Sequence, residues 1–144
     1  MPGAYFITIC TKDRRNLLWE NVGASIARPQ DVVLSAYGRI IEAAIHSIPK
    51  CYSVVTVDHY VIMPNHVHLL LRISSGNDGR PMDAPTISTV VQQMKGYVTK
   101  RIGKSIWQKL FHDHIIRSEK DYQKIWNYIE GNPMKWAEDC FYVE

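Results

Sequence analysis

Residues 4–11 (Ala4, Tyr5, Phe6, Ile7, Thr8, Ile9, Cys10, Thr11) are rich in aromatic and β-branched side chains and stop at the charged cluster Lys12, Asp13, Arg14, Arg15. That pattern predicts a first strand. From Ser35 onward the apolar positions Ile40, Ile41, Ala44, Ile45 and Ile48 recur at helical spacing, and Pro49 is expected to stop the pattern. Residues 52–63 carry Val54, Val55, Val57, Val61 and Ile62 and read as extended. Pro64-Asn65 then makes a tight turn into the apolar strand Val67-His68-Leu69-Leu70-Leu71, so the two strands should pair as a hairpin.

A polar, Gly- and Pro-rich stretch from Ser74 to Pro85 reads as a mobile loop, after which Ile87, Val90, Val91, Met94, Val98 and Ile102 trace a second helix. Residues 110–117 form another strand. Ser118 with Asp121 is an N-cap pattern for a third helix, which Gly131 and Pro133 should end. Strand, helix, strand, strand, helix, strand, helix predicts an α+β fold, a ferredoxin-like sandwich in which an antiparallel sheet carries its helices mainly on one face. At 144 residues, 46% of them apolar, the chain has the length for one domain over residues 1–144.

Side chains two apart on a strand share a face. The strand at residues 66–73 therefore divides into Val67, Leu69, Leu71 and Ile73, which belong to a core, and His66, His68, Leu70 and Arg72, which open to a site. Two imidazoles with one or two oxygen ligands suit an exchangeable Mn²⁺, Mg²⁺ or Zn²⁺ better than a closed structural zinc site, which would want cysteines nearby. The bland alternative is a pair of satisfied histidines beneath a helix.

In the third helix Tyr122, Ile125, Trp126 and Ile129 form an apolar stripe, with Tyr128 on its flank, where a cleft could reach it. Lys124 and Asn132 lie one turn to either side of Tyr128, so a cation, a phenol and an amide line one helix edge. Lys124 could hold a phosphate and Asn132 could join a metal. Tyr122 competes as a phenol, but its place in the stripe favours packing, and an amphipathic tyrosine at a core boundary is the ordinary reading of Tyr128 too.

A metal beside a tyrosine points to cleavage of a nucleic-acid backbone. The net charge of +3 permits that partner without demanding it. Lys12, Arg14 and Arg15, and Lys95, Lys100 and Arg101 with Lys104 and Lys109 near Tyr97 and Trp107, are candidate DNA contacts; solvated helix faces are the competing explanation. His112 and His114 alternate like His66 and His68 and are assigned a phosphate-binding or structural role. Asp58 and His59 could supply a metal oxygen or orient an imidazole.

Cys10, Cys51 and Cys140 are scattered and odd in number, and no run has the length of a membrane helix or the order of a signal peptide. A soluble, reduced, cytoplasmic protein is expected.

Four segments together resemble the REP-associated tyrosine transposases, within the single-tyrosine HUH transposases of bacterial insertion sequences. They are residues 3–11, residues 61–68 with Pro64-Asn65-His66-Val67-His68, residues 107–117, and residues 121–136 with Tyr128, Asn132, Pro133, Lys135 and Trp136. They cover most of the chain in the family's order. The resemblance implies that His66 and His68 bind a divalent metal, Mg²⁺ or Mn²⁺, with Asn132 as third ligand, and that Tyr128 is the nucleophile. It further implies a single-stranded DNA substrate with a hairpin or palindromic repeat, cut and rejoined through a 5′-phosphotyrosine by a nucleoid-associated bacterial protein. Homodimer and monomer both stay open.

Three features depart from the family pattern. Many members carry a longer basic and aromatic segment before the stretch that here begins at Met1-Pro2-Gly3, His59 stands where an acidic residue is frequent, and Gly131 adjoins Asn132. These predict weaker hairpin recognition and a looser third metal contact. Two other readings fit the same residues. One is a domesticated, non-catalytic binder of structured single-stranded DNA or RNA. The other is a hydrolase in which the histidines activate water and Tyr128 is structural.

Overall fold

A computed structural model describes residues 3–20, 31–74 and 86–138. The predicted loop at residues 75–85 and Cys140 lie outside the described residues. The elements run β1 (Ala4–Cys10), α1 (Ala36–Cys51), β2 (Val55–Ile62), β3 (His66–Ile73), α2 (Ile87–Ile102), β4 (His112–Ile116) and α3 (Glu119–Gly131), followed by a 3-10 turn over Asn132–Glu138. The four strands form one sheet in the order β2-β3-β1-β4, with every neighbouring pair antiparallel. This is the expected α+β ferredoxin-like sandwich.

Strand alternation sorts the side chains into two layers. Ile7 and Ile9 of β1 with Val67, Leu69 and Leu71 of β3 pack against Ile41, Ala44, Ile45 and Ile48 of α1 and Val90, Val91, Met94 and Val98 of α2. On the opposite face Ala4, Val61, Leu70 and Ile116 meet Ile125 and Ile129 of α3, with Trp19 and Trp136 closing the edge. Two helices thus cover one face, and the third covers the face that carries His66 and His68.

Local signals account for most of the boundaries. Ser35, Thr86 and Ser118 cap the three helices by accepting from the backbone N–H three residues on. Gly103 ends α2 in the left-handed conformation at φ 92°. Pro49 does not end α1, which runs on to Cys51. Proline removes one N–H donor, and with Tyr52 N–H still reaching Ile48 O at 3.0 Å the last turn closes around it. Strand β4 is shorter than expected, because exposed Leu110 and partly buried Phe111 lie outside its pairing with β1. The hairpin between β2 and β3 turns at Pro64-Asn65, with Met63 N–H donating to His66 O at 2.8 Å.

Candidate metal and nucleophile site

Antiparallel register sets Thr8 opposite His68 and Cys10 opposite His66 on β1 and β3. His66 and His68 are 0% and 2% exposed, with Nε2 atoms 3.1 Å apart. The partners of their other nitrogens define the proton pattern. Asn65 Nδ2 donates to Arg14 O at 3.3 Å, which turns Asn65 Oδ1 to accept from His66 Nδ1 at 2.8 Å. His66 Nε2 is left with its lone pair, which accepts from His68 Nε2, and His68 Nδ1 then accepts from the Thr8 hydroxyl at 3.0 Å.

Both imidazoles are held neutral. Burial, then the neighbouring His68, then the charge of Arg14 push His66 down to about 2, and burial pushes His68 down to about 3. Neutral imidazole is the form that binds metals. Among the described residues no group of three or more His, Cys, Asp or Glu is placed to hold an ion. Among the described residues a third protein donor would come from another residue type. Asn132, 3% exposed at the C-terminal end of α3, has its side-chain Nδ2 buried without a hydrogen-bond partner. Two neutral imidazoles that meet at Nε2 suit a divalent cation, and the buried Asn132 amide would join them through its oxygen, leaving its nitrogen as the unpaired end.

Tyr128 stands beside this pair. Its ring meets the His68 ring edge-on at 5.4 Å and Phe6 at 6.1 Å, while Phe6 stacks on His68 at 5.0 Å. With 43% exposure Tyr128 faces both the histidines and solvent. Tyr122 is otherwise engaged, since its hydroxyl donates to Asp58 Oδ2 at 2.7 Å and Arg72 lies over its ring at 5.3 Å.

Several candidate residues lie elsewhere. Asp58 binds Arg72 and Tyr122, and His59 pairs with Glu130 at 2.5 Å and packs on Trp126, so neither orients a site imidazole. Both instead tie α3 to β2. His114 pairs with Asp121 at 2.8 Å, a structural contact. His112, exposed, pairs with Thr8 across the β1–β4 ladder and so sits on the histidine face of the sheet. Lys12, Arg14, Arg15, Lys100, Arg101 and Lys124 are exposed, with Arg101 lying over Tyr97. Lys95 requires a correction. It is 7% exposed, and its ammonium donates to Gln108 O at 2.9 Å and Lys109 O at 3.4 Å, which makes it an internal tie and not a surface DNA contact. Its place among α2's inward positions, one after Met94, was the available signal.

Sequence reasoning passed over Thr8, Asn65, Phe6 and Trp136. Asn65 was legible as the residue preceding the histidine pair. Thr8, Phe6 and Trp136, whose ring lies 6.2 Å from that of His66, reach the site only through strand register and the turn after α3.

The chain therefore combines a ferredoxin-like sheet with a buried histidine pair and an adjoining tyrosine. No protein-family model matches it. An uncharacterized protein of Haemophilus influenzae is 32% identical over a 161-residue alignment that covers 99% of this chain and 86% of that protein. A REP-associated tyrosine transposase of Escherichia coli K12 is 32% identical over 80 residues, 55% of this chain and 44% of the relative, so the match spans less than half of that protein. The solved structure of a REP-associated tyrosine transposase bound to a REP hairpin superposes with a TM-score of 0.61 at 25% identity, covering 92% of this chain and 67% of that one. The chain thus resembles REP-associated tyrosine transposases in sequence over about half of its length and in fold over most of it.

Proposed function

We propose that this chain is a metal-dependent transposase that cuts and rejoins single-stranded DNA at hairpin or palindromic repeats, with Tyr128 as nucleophile. The observation that carries the reading is the contact of the Tyr128 ring with His68, whose Nε2 meets that of His66. The likeness to a relative whose solved structure holds a REP hairpin supports the choice of DNA.

His66, His68 and Asn132 would hold Mg²⁺ or Mn²⁺, which when bound polarises the phosphodiester and offsets charge in the transition state. The chain's own residues do the rest. Asn65 holds His66 with its Nε2 lone pair outward. The Thr8 hydroxyl can accept as readily as donate, so His68 can turn its Nε2 lone pair outward too. Free tyrosine titrates near pH 10, so the phenol is a weak nucleophile until a neighbouring cation favours its anion. As the bond from Tyr128 Oη to phosphorus forms, the bond to the 3′-oxygen breaks. The phenol proton passes to solvent, and the 3′-oxygen takes one up. Attack on the phosphotyrosine by another 3′-hydroxyl reverses these steps and rejoins the strand.

One observation favours a second reading. The two imidazoles are buried and bonded to each other, so the pair is also satisfied as a purely structural element, which would leave a non-catalytic binder of structured nucleic acid. Denaturing gels of labelled single-stranded DNA containing short palindromes, with Mn²⁺ or Mg²⁺, separate the alternatives. A metal-dependent, protease-sensitive adduct in the wild type and none in Tyr128→Phe is the expected result. Hairpin binding by both proteins without an adduct would sink strand transfer and leave the binder. Free 5′-phosphate without an adduct would mean hydrolysis by activated water.

A further inference from the structure

The turn after β1 adopts a conformation its residues resist. Asp13 (φ 57°, ψ 20°) and Arg14 (φ 53°) are consecutive left-handed residues, and neither is glycine. Aspartate tolerates that region through its short polar side chain, whereas arginine has no such compensation. The surroundings hold the turn in place. Arg14 N–H donates to Thr11 O at 3.1 Å, Arg15 N–H to Lys12 O at 3.3 Å, and the Thr11 hydroxyl to Arg15 O at 2.8 Å. Thr11 is itself anchored, by its N–H and its hydroxyl, to Asn65 O.

Strain maintained by so many contacts has a beneficiary. The Asn65 side chain joins the carbonyl of Arg14 to the ring of His66, so the strained backbone is fixed relative to the metal ligand. Arg14 remains exposed at this turn. Both histidines and Asn132 are neutral, whereas in-line attack on a phosphodiester builds a second negative charge on the phosphoryl oxygens. A planar guanidinium can meet two such oxygens at once, and a donor placed where charge develops acts chiefly in the transition state.

We propose that Arg14 holds the non-bridging oxygens of the reacting phosphodiester beside the histidine pair, and that Asn65 positions both Arg14 and His66 for this task. Lys12 and Arg15 flank it in the same turn and serve the DNA backbone more generally. The assignment rests on the strand-transfer reading above.

The test compares wild type, Arg14→Gln, Arg14→Lys and Arg14→Gly on the pooled labelled palindrome oligonucleotides with Mn²⁺, following adduct formation at saturating DNA, oligonucleotide affinity and melting temperature. Arg14→Gln should slow adduct formation about 100-fold or more while affinity changes less than about threefold. Arg14→Lys should recover part of the rate. Arg14→Gly should be as slow as Arg14→Gln yet melt at or above wild type, because glycine accepts the left-handed turn.

An adduct from wild type with an equal rate in Arg14→Gln would overturn the role of Arg14 and leave strand transfer standing. Loss of affinity in step with loss of rate would reduce Arg14 to an ordinary backbone contact, and lower melting of Arg14→Gly would overturn the strain argument. No adduct from wild type would remove the strand-transfer reading and this one with it.

Discussion

At the scale of single residues, the site is arranged to keep His66 and His68 uncharged. Their protonation falls from near 6.5 in the unfolded chain to about 2 and about 3 in the folded one. Between those limits the unfolded chain binds more protons, so stability is lost as pH falls below about 6.5, on the order of 1 kcal/mol per pH unit for each histidine. Denaturant unfolding without metal, followed from neutrality toward about pH 4, should show this slope, and the His66→Gln, His68→Gln double variant should flatten it. The Thr8 contact makes a separate prediction. Thr8→Val removes the hydroxyl that partners His68 Nδ1 and should weaken Mn²⁺ binding by about tenfold or more, read by calorimetry, with little change in fold.

At the scale of elements, α3 decides which phenol meets the histidines. Its buried residues are Ile125 and Ile129, and polar pairs from Asp121, Tyr122 and Glu130 to His114, Asp58 and His59 set its rotation. Tyr122 is spent on that anchoring. Tyr122→Phe should lower unfolding free energy by about 1 kcal/mol and still form the DNA adduct, the reverse of Tyr128→Phe. Gly131 does not loosen the end of α3: the next residue, Asn132, is helical at φ −66°, ψ −40° and buried. A Cβ at Gly131 would meet only the end of Lys135, at 4.0 Å, so Gly131→Ala should raise stability by up to about 1 kcal/mol, measured by denaturant titration, without changing metal affinity.

At the scale of the whole molecule, long-range contacts bring two basic segments to one end of the sheet. Thr11 bridges to Trp107, and Lys12 N–H donates to Ile106 O at 2.8 Å, so the Lys12 to Arg15 turn lies beside the segment leading from α2 to β4. Lys95 secures that segment from within, while Lys100 stays outside. The two lysines should therefore separate experimentally. Lys95→Met should cost about 1–3 kcal/mol of stability through the carbonyls it leaves unpaired. Lys100→Ala should leave stability alone and, if this face tracks single-stranded DNA, reduce the salt slope of binding by about 0.7. Among the described residues no helix is long and apolar enough to cross a membrane.

Local patterns by themselves determined the order and type of the elements, the division of β3 into core and site faces, the Ser118 cap of α3 and the exposed flank position of Tyr128. These follow from side-chain spacing and from hydrogen bonds that reach three or four residues, both written locally in the chain. The tertiary structure decided which distant residues serve the histidines. Strand register brought Thr8 to His68, the β2–β3 hairpin set Asn65 between His66 and the Arg14 turn, and the seating of α3 chose Tyr128 over Tyr122. It also drew Lys95 inward and gave Asp58 and His59 to α3. Such assignments depend on contacts between distant residues, as between His59 and Glu130, 71 residues apart, where no local pattern carries the pairing.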